Sequence, residues 1–267
     1  MSNALSEALR DVLPKDAAAS WAILRDILPK SMTLFGGTAI AVHLHHRVSR
    51  DLDFFFDDPT FDLDALKAQL ESLRPTAVTY QDKKTLNALF GETKIQFLSS
   101  TGQRDIQPAT NIEGIQVAGL RDLAATKMKV VADRGELRDY FDIMVIEQRT
   151  SITTESALLD YEFRYNDTNP NNVIGIVRGL GYLGDVIDDP GLPVTRDSIE
   201  TYWQSRQIGI IESLDSTGYV VASTPPPVQH HQVSQANPQP ASWGEGKVWV
   251  EPHTRNGRHV DGYWRRR

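Results

Sequence analysis

The sequence predicts an α/β chain: a sheet organised around residues 32–56, helices flanking it, a helical C-terminal region and a short tail appendage. Three observations predict it. Met32 to Phe35 is a mostly apolar run that stops at Gly36-Gly37, and the apolar stretch Thr38 to Leu44 follows with the composition of a buried helix. Asp51 to Phe56 alternates Asp-Leu-Asp-Phe before turning wholly aromatic, which is a strand pattern. Thr76–Tyr80, Thr85–Phe90 and Thr93–Leu98 are short runs rich in β-formers separated by polar turns, and helical periodicity lies on both sides of them.

In chain order, Ser2–Leu13 and Asp16–Leu28 repeat apolar residues at three and four and are broken by Pro14 and Pro29, so both read as amphipathic helices. Lys30 and Ser31 turn the chain into the Met32 strand. Asp57-Asp58-Pro59 is a loop, and Asp62–Leu73 is a helix with Asp62 as its N-cap. After the three strand-like runs, Gly102–Gly114 reads as a loop and Ile115–Leu120 as a short strand or extended approach. Arg121–Asp133 is strongly helical, Gly135 breaks it, and Glu136–Gln148 forms the next helix. Thr154–Tyr165, Asn171–Leu183 and Arg196–Leu214 are helical, with breakers at Asn166–Asn172 and Asp188–Pro193 that delay the start of the second. Ser223–Ser242 is Pro- and Gln-rich and reads as an extended linker. Asn256-Gly257 is a hairpin turn signal among aromatic and β-branched residues. The expected units are therefore a core at 1–150, a C-terminal helical region at 151–214, a linker at 215–242 and a β-hairpin tail at 243–267.

Composition narrows the chemistry. The absence of cysteine excludes disulfides, thiol catalysis and cysteine-based zinc sites. Met1–Pro14 mixes charges among its apolar residues, unlike a signal peptide, and no apolar run approaches a membrane span, so a cytoplasmic protein without a membrane partner is expected. The net charge is −7, with six Lys/Arg and four Asp/Glu in residues 214–267, so the body carries −9. Such a body is a poor general nucleic-acid binder, and an RNA contact needs a local basic surface or the tail.

Residues two apart in a strand face the same way, so Asp51 and Asp53 place two carboxylates side by side. Mg²⁺ relieves their repulsion, since it takes oxygen ligands and is commonly held by one or two carboxylates plus substrate phosphates. The glycine pair lets backbone approach a phosphate, and the N–H groups opening the following helix favour an anion. Together they point to chemistry on a nucleoside triphosphate. His43, His45 and His46 lack zinc-motif spacing and read as helix-end packing.

The spacing of these pieces resembles the signature of the polymerase-β-like nucleotidyltransferase superfamily. Gly36-Gly37-Thr38-Ala39 followed by Arg47-x-Ser49-x-Asp51-Leu52-Asp53-Phe54 resembles the AbiEii toxin family, with the MenT-type toxins as relatives. Lys127-Met-Lys, Arg134-Gly and Arg138-Asp139-Tyr-Phe-Asp142 resemble the second half of that family's signature. The resemblance implies a mixed, mostly antiparallel sheet. It implies transfer of a nucleotidyl group from a nucleoside triphosphate to an acceptor, the 3′ end of a transfer RNA or else a protein side chain, in a toxin–antitoxin or phage-defence system with a cognate antitoxin. Asp51 and Asp53 would hold Mg²⁺; Gly36, Gly37 and Thr38 would hold the terminal phosphates; Arg47 and Ser49 would brace the aspartate loop. Lys127 would meet the triphosphate, and Asp142, with Asp139 as its rival, would orient the attacking hydroxyl. Arg138, Asp139 and Arg178 fall on the acceptor side, and Trp203 and Arg206 near the groove, with plain packing favoured for Trp203. Gln96 stands where many nucleotidyltransferases carry a third carboxylate. It favours a rival reading as a catalytically degenerate binding module. A further rival is an enzyme acting on an aminoglycoside-like small molecule.

Overall fold

The computed structural model describes residues 5–133, 135–216 and the strand segments 247–250, 253–255, 258–260 and 263–266. The chain opens with α1 (Glu7–Val12), capped by the Ser6 hydroxyl, and α2 (Lys15–Ile27), which starts after Pro14. Next come β1 (Thr33–Phe35), α3 (Gly36–Leu44), β2 (Leu52–Phe56) and α4 (Leu63–Leu73). Asp62 caps α4 by accepting the Ala65 N–H at 2.9 Å. β3 (Thr76–Gln81), β4 (Thr85–Phe90) and β5 (Thr93–Ser99) occupy the three β-rich runs, and β6 (Thr110–Ile112) and β7 (Ile115–Val117) follow. The segment 102–114, expected to be a loop, thus contains β6. Its Thr-Asn-Ile sequence is polar because β6 is an exposed edge strand, so it carries no alternation to read.

The seven strands form one sheet in the order β3-β4-β5-β2-β1-β7-β6. β2 pairs parallel with β5 and β1 parallel with β7; every other pairing is antiparallel. The sheet is therefore mixed and mostly antiparallel, flanked by helices, as expected. One face of its central and β3-side strands is closed: Leu34, Leu52, Phe54, Phe56, Leu86, Ala88, Phe90, Ile95 and Phe97 are buried, and α2 and α4 pack against β5 and β4. The opposite face carries the half-buried Asp53, Phe55, Asn87 and Gln96. Alternation along each strand sorts apolar from polar side chains in this way.

The remaining helices are α5 (Leu120–Asp133), α6 (Leu137–Arg149), α7 (Thr154–Tyr165), α8 (Pro170–Leu180) and α9 (Arg196–Ser216). α8 starts earlier than the breaker pattern predicts, because Pro170 occupies the first turn, where a missing N–H costs nothing, and Asn169 supplies the cap. α9 runs to Ser216, past the expected linker boundary; residues 217–246 lie outside the described residues. α5 is the hub and packs on α3, α6, α7 and α8. A buried arginine joins these helices to the sheet. Arg164 of α7 donates to Asp122 of α5 at 2.7 Å and to the Arg104 carbonyl at 3.1 Å. Its guanidinium lies 4.7 Å from the Phe35 ring centroid, and Phe35 stacks on Phe55 at 4.4 Å.

In the tail, β8 (Lys247–Val250) pairs antiparallel with β11 (Tyr263–Arg266), and β9 (His253–Arg255) with β10 (Arg258–Val260). Arg255 is register partner of Arg258, which brackets the expected turn dipeptide Asn256-Gly257; those two residues lie outside the described residues.

Trp203 ties α9 to α6: it is 0% exposed and its indole N–H donates to the Tyr140 carbonyl at 3.2 Å. Trp203→Ala leaves a large cavity between α9 and α6 and removes one hydrogen bond, and is expected to cost about 3–5 kcal/mol. Urea unfolding checks this; a midpoint close to wild type would show that α9 does not share the core.

Candidate active site

Three local features build the site. The first is the turn from β1 into α3. Phe35 is register partner of Asp53, so Gly36 sits directly over that carboxylate. Gly36 has φ +73°, a left-handed conformation that favours glycine, and a Cβ there would lie 2.3 Å from Asp53 Oδ2. At Gly37 a Cβ would lie 2.2 Å from Arg47 Nη2. Both glycines are required by what packs against them. The backbone N–H groups that open α3 therefore lie beside the Asp53 carboxylate.

The second feature is the segment between α3 and β2. His45 ends α3 in a left-handed conformation, φ 47°. The chain then passes Arg47 and Ser49 and reaches Asp51 at the mouth of β2. Thr38, 1% exposed, bridges Ser49 Oγ at 2.8 Å and the Asp51 carbonyl. The Ser49 N–H donates to the Val12 carbonyl at 2.9 Å. Thr38 and Ser49 thus hold the backbone that presents the aspartates. The Thr38 hydroxyl turns inward to this loop and is not directed at a phosphate, in contrast to its expected role.

The third feature is a buried charge cluster across α3, α5 and α6. Asp142 is 0% exposed. Its Oδ1 accepts from Arg47 Nε at 2.7 Å and contacts His46 Nε2 at 2.7 Å; its Oδ2 accepts from Arg47 Nη2 at 2.9 Å and pairs with Lys127 Nζ at 2.8 Å. Those contacts occupy the lone pairs of both oxygens. Burial pushes this carboxyl upward, but Lys127, Arg47 and the hydrogen bonds from Arg47 and His46 outweigh it and hold it far below the usual range. Asp142 is therefore a permanently ionised, saturated anchor. It has no lone pair left for an acceptor hydroxyl, which corrects the catalytic role expected for it. Sharing a helical face with Asp139 told which side it was on, not what met it there.

Lys127, 6% exposed, also pairs with Asp139 Oδ1 at 2.6 Å. Burial works against its charge, and Asp139 and Asp142 more than offset that, so its pKa is raised and the amine stays protonated. Two of its protons serve the two carboxylates and one remains. Asp139 is otherwise committed to α6: its Oδ2 accepts the Glu136 N–H at 2.8 Å in a capping box. Burial likewise disfavours the Arg47 charge, while Asp142 raises its pKa first, then Asp139 and Asp189. Asp189, in the loop between α8 and α9, is a contribution from the C-terminal region that sequence reasoning did not single out. His46, expected to be helix-end packing, instead meets Asp142, and nothing in an adjacent histidine pair marks which one turns that way.

Other expected residues lie elsewhere. Arg138 pairs with Glu136 at 2.5 Å on the surface. Arg206 is held by Glu147 and Glu155, each at 2.8 Å, and Trp203 is core. Arg178 is exposed on α8, and among the described residues no contact links it to the Asp51–Asp53 strand. His43 bonds the Ala118 carbonyl at 2.8 Å, so the three histidines diverge and form no metal cluster. Arg134 lies outside the described residues. Gln96 is register partner of Asp53 on the parallel strand β5, the position from which a third carboxylate would act.

Asp142→Asn removes the charge that holds two buried cations, and such losses cost about 3–5 kcal/mol. The Asp142 carboxyl is depressed in the folded state, so its contribution is complete above the unfolded value of ~3.9 and is lost only as pH falls below it. Urea unfolding at several pH values should show a constant deficit for the variant from about pH 5 upward, narrowing below about pH 4.

The family described as nucleotidyl transferase AbiEii toxin, type IV toxin–antitoxin system, matches residues 21–217. An uncharacterised Aquifex aeolicus protein, aq_aa25, is 29% identical over 175 residues, 64% of this chain and 80% of its own. JHP933 from Helicobacter pylori superposes with TM-score 0.47 at 16% identity, covering 80% of this chain and 97% of that one. MenT4, a nucleotidyltransferase toxin from Mycobacterium tuberculosis H37Rv, superposes with TM-score 0.48 at 16% identity, covering 73% of this chain and 82% of that one. The family match spans most of the chain and includes the glycine turn, the aspartate strand and the Lys127–Asp142 cluster, and the chain belongs to the AbiEii nucleotidyltransferase toxin family.

Proposed function

We propose that this protein transfers a nucleotidyl group from a nucleoside triphosphate, bound with Mg²⁺, to a transfer RNA in the cytoplasm, as the toxin of a phage-defence pair restrained by a cognate antitoxin. One observation carries the reading: the phosphate-type turn and the carboxylates are one unit, since Asp53 fills the space where Gly36 has no side chain. The donor set suits the ion. Asp53 on β2 and Asp51, just before that strand, are hard oxygen donors, with an amide, Gln96, beside Asp53. Among the described residues no group of three acids or histidines forms a closed metal site. A partial shell of this kind matches an ion that keeps waters and substrate phosphates. When bound, Mg²⁺ would polarise the α-phosphate and stabilise the leaving pyrophosphate.

The chain's own residues supply the rest. The backbone of Gly36 and Gly37 takes the terminal phosphates at the start of α3. Lys127 keeps one proton for them while its charge is fixed by Asp139 and Asp142. Arg47 and Ser49 hold the presenting loop, with Thr38 locking it from beneath. The core at 1–150 is the catalytic unit and 151–214 backs it, with 215–267 dispensable for chemistry.

The test is transfer itself. Incubation with each labelled nucleoside triphosphate, Mg²⁺ and total RNA is expected to label transfer RNA. Asp53→Asn is expected to lower labelling by at least about a hundredfold with the melting curve unchanged, because a carboxylate ligand is lost. Wild-type labelling by that variant, or label on a small molecule or protein in place of RNA, would contradict the proposal.

A further inference from the structure

In-line transfer places the attacking oxygen and the leaving group on opposite sides of phosphorus. On the reading above, pyrophosphate departs over Gly36 and Gly37, on the β1 side of Asp53. The acceptor hydroxyl must then arrive from the β5 side. A row of register partners leads away in that direction: Asp53 faces Gln96 on β5, Gln96 faces Asn87 on β4, and Asn87 faces Tyr80 on β3, just past a shift of register between Val78 and Tyr80 that turns Tyr80 to the same side as Asn87. Direct partners share a face, so the row lies on the open side of the sheet, and Tyr80 stands three strand spacings from Asp53, roughly 14 Å.

The surface has a graded chemistry. Gln96 and Asn87 are half-buried, and Asn87 Oδ1 is buried with no hydrogen-bond partner among the described residues. A buried acceptor left unpaired is costly, and a donor from a ligand relieves it. Beyond the amides, Tyr80 is 52% exposed, its hydroxyl donating to Asp82 at 2.8 Å, and Leu89 on β4, across from Lys94, is 41% exposed. Residues 76–99 hold Lys83, Lys84 and Lys94 against Asp82 and Glu92, a balance of +1 in a chain whose net charge is −7. A donor–acceptor amide pair, an exposed aromatic ring and locally positive charge suit ribose hydroxyls, a stacked base and phosphates; a polycationic acceptor would meet the wrong sign.

We propose that the open face of β5, β4 and β3 is the acceptor platform. It seats the single-stranded, hydroxyl-terminated end of an RNA, with Gln96 and Asn87 bonding the terminal nucleotide beside Asp53 and Tyr80 stacking a base. The proposal rests on the nucleotidyltransferase reading and adds the side from which the acceptor enters.

The experiment measures anisotropy of a 5′-labelled, eight-nucleotide single-stranded RNA against the full chain, with a fully base-paired hairpin as comparison. Nucleoside triphosphate affinity and melting temperature are recorded in parallel. Tyr80→Ala and Asn87→Ala are each expected to weaken single-strand binding by about tenfold or more, the range of a lost base stack. Tyr80→Phe keeps the ring and should stay within about twofold of wild type. Nucleotide affinity and melting temperature should not change in any of the three. If both alanine variants bind RNA as wild type does, or if the wild-type chain binds no single-stranded RNA or prefers the hairpin, the platform is overturned while nucleotide binding still stands. If RNA binding follows the expected pattern but no nucleoside triphosphate binds, the failure lies in the nucleotidyltransferase reading.

Discussion

The buried carboxylate of Asp142 is the interaction on which the site depends. It collects His46 and Arg47 from the end of α3 and Lys127 from α5 onto one residue of α6. A carboxylate with no solvent and no partners would be driven to protonate, and the two buried cations, Arg47 and Lys127, would repel each other with no carboxylate between them. Only the complete set is tolerable inside the protein. That mutual requirement fixes the far end of α3 against α5 and α6, and so fixes where its first turn sits over the aspartate strand. Asp139 extends the same set by holding Lys127 and closing the start of α6.

From the other direction, the sheet sets the near end of α3. β1 is central and only three residues long, paired to β2 on one side and β7 on the other. Its last residue, Phe35, is clamped between Phe55 and the buried Arg164 guanidinium. The glycine turn is thus held by aromatic and cation–π contact before it and by an ion-pair cluster after it. Neither holder needs to touch a substrate. This division separates the rigid frame from the groups left free for chemistry.

Much of this was legible in the sequence. The strand–Gly-Gly–helix–Asp-x-Asp order, the three β-rich runs and the α5 and α6 helices all follow from local periodicity, and the structure places them where that periodicity does. What was not legible is what depends on distance and register. Asp142 could be assigned to a helical face, but its saturation by Arg47 rests on a contact across 95 positions. β6 was hidden by its polarity. Asn87 and Tyr80 carry no motif, and they matter only because strand pairing lines them up with Asp53. Pairing order is a property of the whole sheet, and no window of the sequence encodes it.

The left-handed residue at the end of α3 sets a parity rule for the chain. A helix of fixed length, one reversal at His45 and a short extended passage separate Gly37 from β2. Because side chains on a strand alternate with period two, gaining or losing one residue in that passage would turn Asp51 and Asp53 into the closed face and bring Leu52 and Phe54 out. Changes by two residues would preserve the face but slide the carboxylates along the strand, away from the glycine that accommodates them. The interval is therefore a ruler whose length cannot drift. Variation among relatives should accumulate in the loops beyond β2, while the number of residues between the glycine pair and the aspartates stays constant.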